Sequence, residues 1–319
     1  MVCGPAANSL NIQNGAWTHT WQGIDSTYNT KGALTFYESI KQLSTGKVDY
    51  SLGSNLNQLQ NIAETVAKAK RSDIVVICLG ELPSTEIPGN INDLTLPKAQ
   101  QELIKAISKT GKPIVFALSF NRPRVINEVE PLASAIFHCY LSGDYGGMAF
   151  AKNLFGDVNP SGKLPFTYPK HTGSFIPYDH KYTEILDINF GKEGFDPQWE
   201  FGFGLSYSNF TYSNLNVGKT KYSSNDTISV SIEITNSSSL NGKEVIQVFV
   251  SDTVASITPS VKRLRAFKKV LIEANSSQTV EFNIPISELA FVNLNNKWVV
   301  EPGCFVIKIG DLEKAIVVE

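Results

Sequence analysis

The chain has 319 residues, of which 42% are hydrophobic, and its formal net charge at pH 7 is −2. This length supplies apolar material for two domains, because single hydrophobic cores stop growing at about 250–300 residues. The nearly balanced charge, without a dense run of basic side chains, argues against nucleic acid as a partner and fits a neutral ligand.

Residues 1–170 are predicted to form an α/β domain. Short apolar runs alternate there with longer amphipathic stretches, which is typical of βαβ units around a buried parallel sheet. This order of elements predicts a doubly wound, mostly parallel sheet with flanking helices. The predicted strands are 1–4, 47–52, 73–79, 113–119 and 134–141, and the predicted helices are 33–44, 56–71 and 98–109.

The rest of the chain has two different patterns. Residues 171–210 lack periodicity and are rich in aromatic residues, glycine and proline, so we predict a linker that is strapped onto a neighbouring domain. In residues 211–319, apolar side chains occupy alternate positions in about seven short runs separated by Asn, Ser and Gly turns. This pattern predicts an immunoglobulin-like or fibronectin type III-like β-sandwich.

Two tryptophans lie in a polar loop after the first predicted strand, in the run NGAWTHTWQG. Trp17 and Trp21 are either anchors for domain packing or a stacking platform for a sugar. An indole ring suits a pyranose because the C–H face of the sugar is apolar while its rim is polar. Ligands of open α/β sheets bind beyond the carboxyl ends of the strands, which is where this loop leaves the sheet.

The loop after the third predicted strand carries the candidate acid, Glu86, in the run GELPSTEIPGNINDLTLP. Most acidic loops are only solvated loops, but this one leaves the same sheet edge as Trp21. A sugar stacked on that tryptophan would have Glu86 near its glycosidic oxygen. A carboxylic acid partly shielded beside an aromatic ring stays protonated near neutral pH and acts as a general acid. Glu81 is the rival acid, but a carboxylate so close to the strand end more often fixes its own loop.

Two further loops leave the same edge. In the run SFNRP, Arg122 is expected either to brace carboxylates by bidentate hydrogen bonds or to cover the sheet edge. The glycine-rich run LSGDYGG lacks the spacing of phosphate-binding loops.

Several other kinds of site are disfavoured. The four cysteines lie far apart and the four histidines show no ligand spacing, so we expect no disulfide, no metal site and no cofactor. Because no apolar run approaches the about 20 residues that span a bilayer, no membrane partner is expected.

The run GDYGGMAFAKNLFGDVNPSGKLPFTYP at residues 143–169 resembles a long motif of the family 3 glycoside hydrolases. WTHTWQG at 17–23 is similar to the paired-tryptophan loop of the exo-β-glucan glucosidase branch, and GELPSTE at 80–86 to the loop that bears the acid/base of that branch. FGFGLSYSNF at 201–210 and GKEVIQVFVSD at 242–252 resemble the closing fibronectin type III-like domain of the family. The resemblance covers essentially the whole chain.

This resemblance implies a retaining β-glycosidase that removes terminal β-D-glucosyl residues from oligo- or polysaccharides. Glu86 would be the acid/base, and Trp21, Trp17, Glu81 and Arg122 would contribute to substrate binding. The Asp nucleophile of the family lies on an N-terminal (β/α)8 barrel, which we expect to be missing because the sequence begins abruptly in a strand. We therefore expect no turnover by this chain alone, with the barrel and a β-linked glucoside as its partners.

Two alternatives stay open at this point. A β-xylosidase of the same family would share these motifs, since the terminal sugar is read mostly by the barrel. A non-catalytic carbohydrate-binding module would use only the tryptophan face, and no barrel would be encoded upstream of it. For an enzyme of this family, we expect the parent protein to be secreted or periplasmic.

Overall fold

A computed structural model describes residues 1–174, 177–185 and 194–319. The chain forms two compact units, one made of Met1–Val158 and Pro169–Ser174 and the other of Asn159–Tyr168 and the described residues after 174. The predicted boundaries after residues 170 and 210 stay a prediction. Parts of the predicted strap, 175–176 and 186–193, lie outside the described residues.

The first unit is an α/β fold around a parallel sheet of five strands. Its strands are β1 (Val2–Cys3), β2 (Tyr50–Ser51), β3 (Val75–Gly80), β4 (Ile114–Ser119) and β5 (Ala135–His138), and its helices are α1 (Leu10–Asn14), α2 (Phe36–Leu43), α3 (Ile62–Lys70), α4 (Lys98–Ser108) and α5 (Gly146–Leu154). Every residue of β3 and β4 is buried, as expected where helices cover both faces of a parallel sheet. The predicted doubly wound fold is confirmed.

The strand order β2-β1-β3-β4-β5 places a topological switch point at β1. This strand pairs with β2 on one side and with β3 on the other. Ligands of open α/β sheets bind in the crevice outside the carboxyl ends of the strands at such a point. The loops that leave there follow β1 and β3, and they carry Trp21 and Glu86.

The glycine-rich run after β5 forms the start of helix α5, which we had not predicted. Gly147 permits this helix to lie close to the chain that enters α2. A Cβ atom at Gly147 would stand 2.4 Å from the Leu34 carbonyl oxygen and 2.7 Å from that of Thr35. The glycines therefore serve helix packing, which is a different use from the cradling of a phosphate.

The second unit is a β-sandwich. It contains the short helix α6 (Tyr182–Ile185) and the strands β6 (Phe210–Val217), β7 (Lys221–Tyr222), β8 (Thr227–Asn236), β9 (Gly242–Asp252), β10 (Arg263–Ile272), β11 (Ser276–Pro285), β12 (Phe291–Val292), β13 (Trp298–Val299), β14 (Gly303–Ile309) and β15 (Leu312–Val318). One sheet has the order β10-β9-β14-β15-β7 and the other β11-β8-β6, with β12 and β13 paired separately. Alternate residues of β8 are buried, which matches the predicted period of two.

The run NPSGKLP belongs to this second unit and has a structural role there. The amide of Asn159 donates to the Ser208 hydroxyl at 2.8 Å and to the Asn241 carbonyl at 3.0 Å. Lys163 lies 3.2 Å from Glu244, a buried carboxylate on β9. Residues 171–174 of the predicted strap belong to the first unit. Its later described residues pack within the second unit, where the rings of Tyr178 and Phe201 stack with centroids 4.4 Å apart.

Candidate active site

The tryptophan loop and the Glu86 loop are joined through Gln22 and Thr85. The side-chain amide of Gln22 accepts a hydrogen bond from the Thr85 backbone N–H at 3.0 Å and donates one to the Thr85 carbonyl at 3.2 Å. The indole N–H of Trp17 also donates to the Thr85 hydroxyl at 3.2 Å. Gln22 directly follows Trp21 in the chain. Since Thr85 directly precedes Glu86, this clamp brings the predicted platform next to the predicted acid.

Glu86 itself has a backbone conformation that side chains with a Cβ atom avoid, with φ 54° and ψ −147°. Such conformations cost of order 1–3 kcal/mol, persist where the surroundings hold them, and cluster at functional sites. Trp17 with φ 63° and Tyr140 with φ 52° also have left-handed φ values. These three residues lie in loops after β3, β1 and β5, at the carboxyl edge of the sheet, and the other non-glycine residues with positive φ are asparagines, which tolerate this conformation better.

The predicted platform and the predicted acid lie on the surface of the first unit. Trp17 is 65% exposed and Trp21 is 49% exposed, so neither ring belongs to its core. The side chain of Glu86 is also exposed. The partial shielding that we expected around this acid is therefore not provided by the described part of the chain.

Glu81 is buried and ties its own loop to the loop after β4. Arg124 donates to its Oε2 atom from Nε at 3.0 Å and from Nη2. The Asn121 backbone N–H donates to Oε1 at 2.6 Å. The side chains of Arg124 and Glu81 are only 9% and 7% exposed, so loss of either one would leave a buried charge without its partner. This geometry gives Glu81 a positioning role, and its predicted contact with substrate stays a prediction.

Arg122 braces the backbone of the Glu86 loop. Its Nη1 atom donates to the Gly89 carbonyl at 2.6 Å, and its Nε atom lies 3.6 Å from Oε1 of Glu81. Gly89 ends the 3-10 turn Ile87–Gly89, which begins directly after Glu86. Arg124, the second arginine of the run NRPR, braces the Glu81 carboxylate with two donors to a single oxygen atom. A direct contact of Arg122 with substrate stays a prediction.

Asp144, in the glycine-rich loop after β5, anchors the tryptophan loop. Its Oδ1 atom accepts from the Asn14 amide at 2.9 Å, and Nε2 of His19 lies 3.1 Å from both carboxylate oxygens. The Thr30 hydroxyl donates to Oδ2. Partial burial raises the pKa of Asp144, but the hydrogen bonds from Thr30, His19 and Asn14 together outweigh it and hold the pKa below its ordinary value. Because His19 belongs to the tryptophan loop, the ionised carboxylate holds that loop in place.

Three of the residues that hold this site together are not among the predicted site residues. Gln22, Arg124 and Asp144 are polar residues within loops at the carboxyl edge, and that location is the signal that could have found them. Their partners are distant in sequence, by 63 residues for the Gln22 clamp, 43 for Arg124 and Glu81, and 130 for Asp144 and Asn14.

The other reactive side chains that the structure describes do not form a second candidate catalytic site. Within residues 1–174, 177–185 and 194–319, no group of three His, Cys, Asp or Glu side chains is arranged to hold a metal ion. All four cysteines are free, and burial raises the pKa of Cys3 to about 12. Among the helices that the structure describes, none has the length and apolar character required to cross a membrane.

The comparisons with known proteins agree on one family. The sequence profile of the glycosyl hydrolase family 3 C-terminal domain matches residues 1–207, and that of the fibronectin type III-like domain matches residues 244–313. The lysosomal beta glucosidase of Dictyostelium discoideum is 34% identical over 98% of this chain and 39% of its own length. A beta-xylosidase of Formosa agariphila is 35% identical over 84% of this chain and 38% of its own length.

A solved structure gives the same result. The crystal structure of the beta-glucosidase from Listeria innocua in complex with glucose matches with a TM-score of 0.90 at 28% identity, covering 99% of this chain and 45% of that one. The chain thus spans less than half the length of these relatives.

Proposed function

The chain belongs to family 3 of the glycosyl hydrolases, with the C-terminal α/β domain of that family and a fibronectin type III-like domain, and on that premise we propose that it supplies the general acid/base of a retaining β-glycosidase. Glu86 is the proposed acid/base. The observation that carries this proposal is the strained backbone of Glu86, held beside the tryptophan loop by the Gln22–Thr85 clamp at the topological switch point of the sheet.

Glu86 would act twice in the reaction. Its carboxyl group first donates a proton to the glycosidic oxygen as the bond to the anomeric carbon breaks. The resulting carboxylate then accepts a proton from the water that attacks the same carbon. Since Glu86 is exposed in this chain, bound sugar and residues from outside the chain would provide the shielding that keeps it protonated.

A retaining mechanism also needs a nucleophilic carboxylate about 5–5.5 Å from the acid/base. Glu81 and Asp144 lie in neighbouring loops, but their oxygens already accept hydrogen bonds that fix those loops. We therefore assign the nucleophile to the (β/α)8 barrel that the family resemblance implies. Without that barrel the chain would hold the acid/base and not the group that forms the glycosyl-enzyme bond.

Trp21 and Trp17 would form a wall of the subsite beyond the cleaved bond. Both rings are exposed, and the indole of Trp17 contacts Thr85, the residue before the proposed acid. The leaving-group sugar could therefore stack on one of the rings while its glycosidic oxygen faces Glu86. Arg122 would act mainly by holding the loop that carries Glu86.

The proposed substrate is a terminal β-D-glucosyl residue of an oligo- or polysaccharide. Two of the relatives described above are named beta glucosidases, and this supports glucose as the terminal sugar. The relative named a beta-xylosidase supports xylose as the second candidate.

Secretion of the parent protein also stays a proposal.

The test compares the chain alone with a chimera. In the chimera, the part of the Dictyostelium enzyme that precedes its match to this chain is joined ahead of Met1. The chain alone should not hydrolyse 4-nitrophenyl β-glucoside. The chimera should hydrolyse it, and hydrolysis of cellobiose by the chimera should fall by about 10²–10⁴-fold in Glu86→Gln.

Glu102→Gln is the matched control, because Glu102 is an exposed glutamate of α4 outside the loops of the site. Turnover of aryl glucoside by the chain alone that disappears in Glu86→Gln would overturn the need for a barrel. An active chimera with equal cellobiose hydrolysis in Glu86→Gln would overturn the assignment of the acid/base. If the chimera hydrolysed 4-nitrophenyl β-xyloside faster than 4-nitrophenyl β-glucoside, xylose would be favoured as the terminal sugar.

A further inference from the structure

A small cavity of about 50 Å³ in the β-sandwich unit has a strongly cationic lining. Three basic side chains, Lys181, Arg263 and Arg265, border it, and Asp252 is the one carboxylate in its lining. The rest of its wall is largely apolar and includes Val250, Leu289, Phe291 and Phe305. This combination of clustered positive charge and apolar surface is unusual for the interior side of a sandwich.

A β-bulge brings the two arginines to this place. Arg263 stands directly opposite Val250, a residue of the sandwich core, so its side chain starts from the inner face of the sheet. The pairing of β10 with β9 then shifts between Leu264 and Ala266. Arg265 is the extra residue of this bulge, and bulges re-aim a side chain while interrupting the ladder.

Arg265 makes no salt bridge with a described residue, although the charge of Glu288 lies near enough to favour its ionised form. The Nε atom of Arg265 is buried and has no hydrogen-bond partner among the described residues. Burial, followed by the like charge of Arg263, lowers the pKa of Arg265 and outweighs the opposite effects of Glu288 and Tyr178. Arg263 has a partner in Asp179, although at 3.9 Å. A partly buried guanidinium without a partner is costly, and a bound anion would remove that cost.

Asp252 does not neutralise these cations. Its Oδ1 atom accepts from the Val254 backbone N–H at 3.2 Å, and it makes no ion pair with a described residue. Burial raises the pKa of Asp252, which disfavours its charged form. The lining therefore keeps a net positive charge.

Protection of the sheet edge explains only part of this pattern. β10 is an edge strand, and charged side chains on such strands prevent pairing with other chains. The exposed Lys268 and Lys269 serve that purpose. A cation whose Nε atom is buried against apolar walls adds little to it, so Arg265 needs another explanation.

We propose that this cavity binds the carboxylate of a small organic acid, gripped by Arg265 and Arg263, with Lys181 as the third positive charge. Guanidinium groups hold carboxylates by paired hydrogen bonds. A water molecule needs about 10–15 Å³ by the same measure of volume. The cavity of about 50 Å³ therefore suits an occupant of about three to five non-hydrogen atoms, and the apolar wall favours a short carbon chain over an inorganic anion.

The test is an NMR titration of the 319-residue chain with sodium propionate at constant ionic strength. Propionate should shift the backbone amide signals of Ser260, Arg263, Arg265 and Phe305 in a saturable manner. Propionamide, which has nearly the same shape and no charge, should leave them unchanged, and sulfate should bind more weakly. Arg265→Gln should weaken propionate binding by roughly tenfold or more.

Lys269→Gln is the matched control, because it removes one positive charge from the same strand outside the cavity. It should bind propionate as the parent chain does. Without ligand, Arg265→Gln should melt at the same temperature as the parent or higher, since it removes an unpaired charge. Equal propionate binding by Arg265→Gln and the parent, or equal shifts with propionamide, would overturn the site. Tighter binding of sulfate than of propionate would overturn the assignment to an organic acid.

Discussion

The side-chain amide of Gln22 spans the peptide backbone of Thr85, accepting from its N–H at 3.0 Å and donating to its carbonyl at 3.2 Å. Gln22 belongs to the tryptophan loop, and Thr85 immediately precedes Glu86. One amide thus sets the position of the proposed platform relative to that of the proposed acid. The four loops at this edge are further connected by Glu81 with Arg124 and by Asp144 with His19.

The first prediction concerns this clamp. Gln22→Leu keeps a similar side-chain volume but removes the acceptor of the Thr85 N–H. Because a hydrogen bond contributes about 1 kcal/mol, exchange of the Thr85 amide hydrogen should accelerate by about fivefold. Gln58→Leu, at an exposed glutamine of the same unit, should leave that rate unchanged. An unaltered Thr85 exchange rate in Gln22→Leu would show that the clamp is not formed in solution.

The second prediction concerns the strain at Glu86. Glycine adopts φ 54° and ψ −147° without a Cβ clash, whereas alanine does not. Glu86→Gly should therefore be more stable than Glu86→Ala by about 1 kcal/mol in urea unfolding. At Glu102, in the middle of α4, the order should reverse, since glycine destabilises a helix interior by about 1 kcal/mol relative to alanine. The same order at both positions would mean that Glu86 is not strained.

The third prediction concerns the buried pair of Arg124 and Glu81. Arg124→Gln should lower the free energy of unfolding by about 3–5 kcal/mol at neutral pH, because Glu81 loses the partner of its buried charge. The double variant with Glu81→Gln should recover part of this loss, which a urea-unfolding cycle measures. Arg71→Gln, at an exposed arginine, should have little effect. Equal stability of Arg124→Gln and Arg71→Gln would contradict the buried pair.

The fourth prediction concerns Asp144 and pH. Since its pKa is held below the ordinary value, the ionised form stabilises the folded chain at pH values above the unfolded pKa of about 3.9. This contribution is lost as the pH falls through the lower, folded pKa. The melting temperature of the parent should exceed that of Asp144→Asn by a constant amount above about pH 5, and the difference should shrink below about pH 4.

Asp157→Asn, at an exposed aspartate of the same unit, serves as the control for this pH series and should show no comparable change. If the difference between the parent and Asp144→Asn grew as the pH fell, the assigned direction of the pKa shift would be wrong.

The sheet and the sandwich could be predicted because burial leaves a direct pattern. In β3 and β4 both faces are covered, so their sequences are continuously apolar, while in β8 one face is covered and the period is two. The helix α1 has only five residues and α5 begins with two glycines, and both lack the length or composition that marks a helix.

The candidate site could be predicted only as far as its location. The carboxyl edge of a parallel sheet follows from the order of elements, and it contains Trp21 and Glu86 as expected. The hydrogen-bond partners of the site residues do not follow from the sequence. Either Arg122 or Arg124 could reach the Glu81 carboxylate, and only the fold shows that Arg124 donates to it while Arg122 donates to the Gly89 carbonyl. Similarly, the left-handed φ of Glu86 occurs directly after Thr85, whose partner Gln22 is 63 residues away in the sequence.

The most direct test of Glu86 as the acid/base is whether azide restores turnover to the Glu86→Ala variant of the barrel-bearing chimera. Without its proton donor, the variant should hydrolyse cellobiose very slowly but still cleave 2,4-dinitrophenyl β-glucoside, whose leaving group needs no proton. Azide needs no general base, so it should accelerate turnover of that substrate and yield β-glucosyl azide. If activity toward both substrates fell equally and no glucosyl azide formed, the assignment of Glu86 would be contradicted.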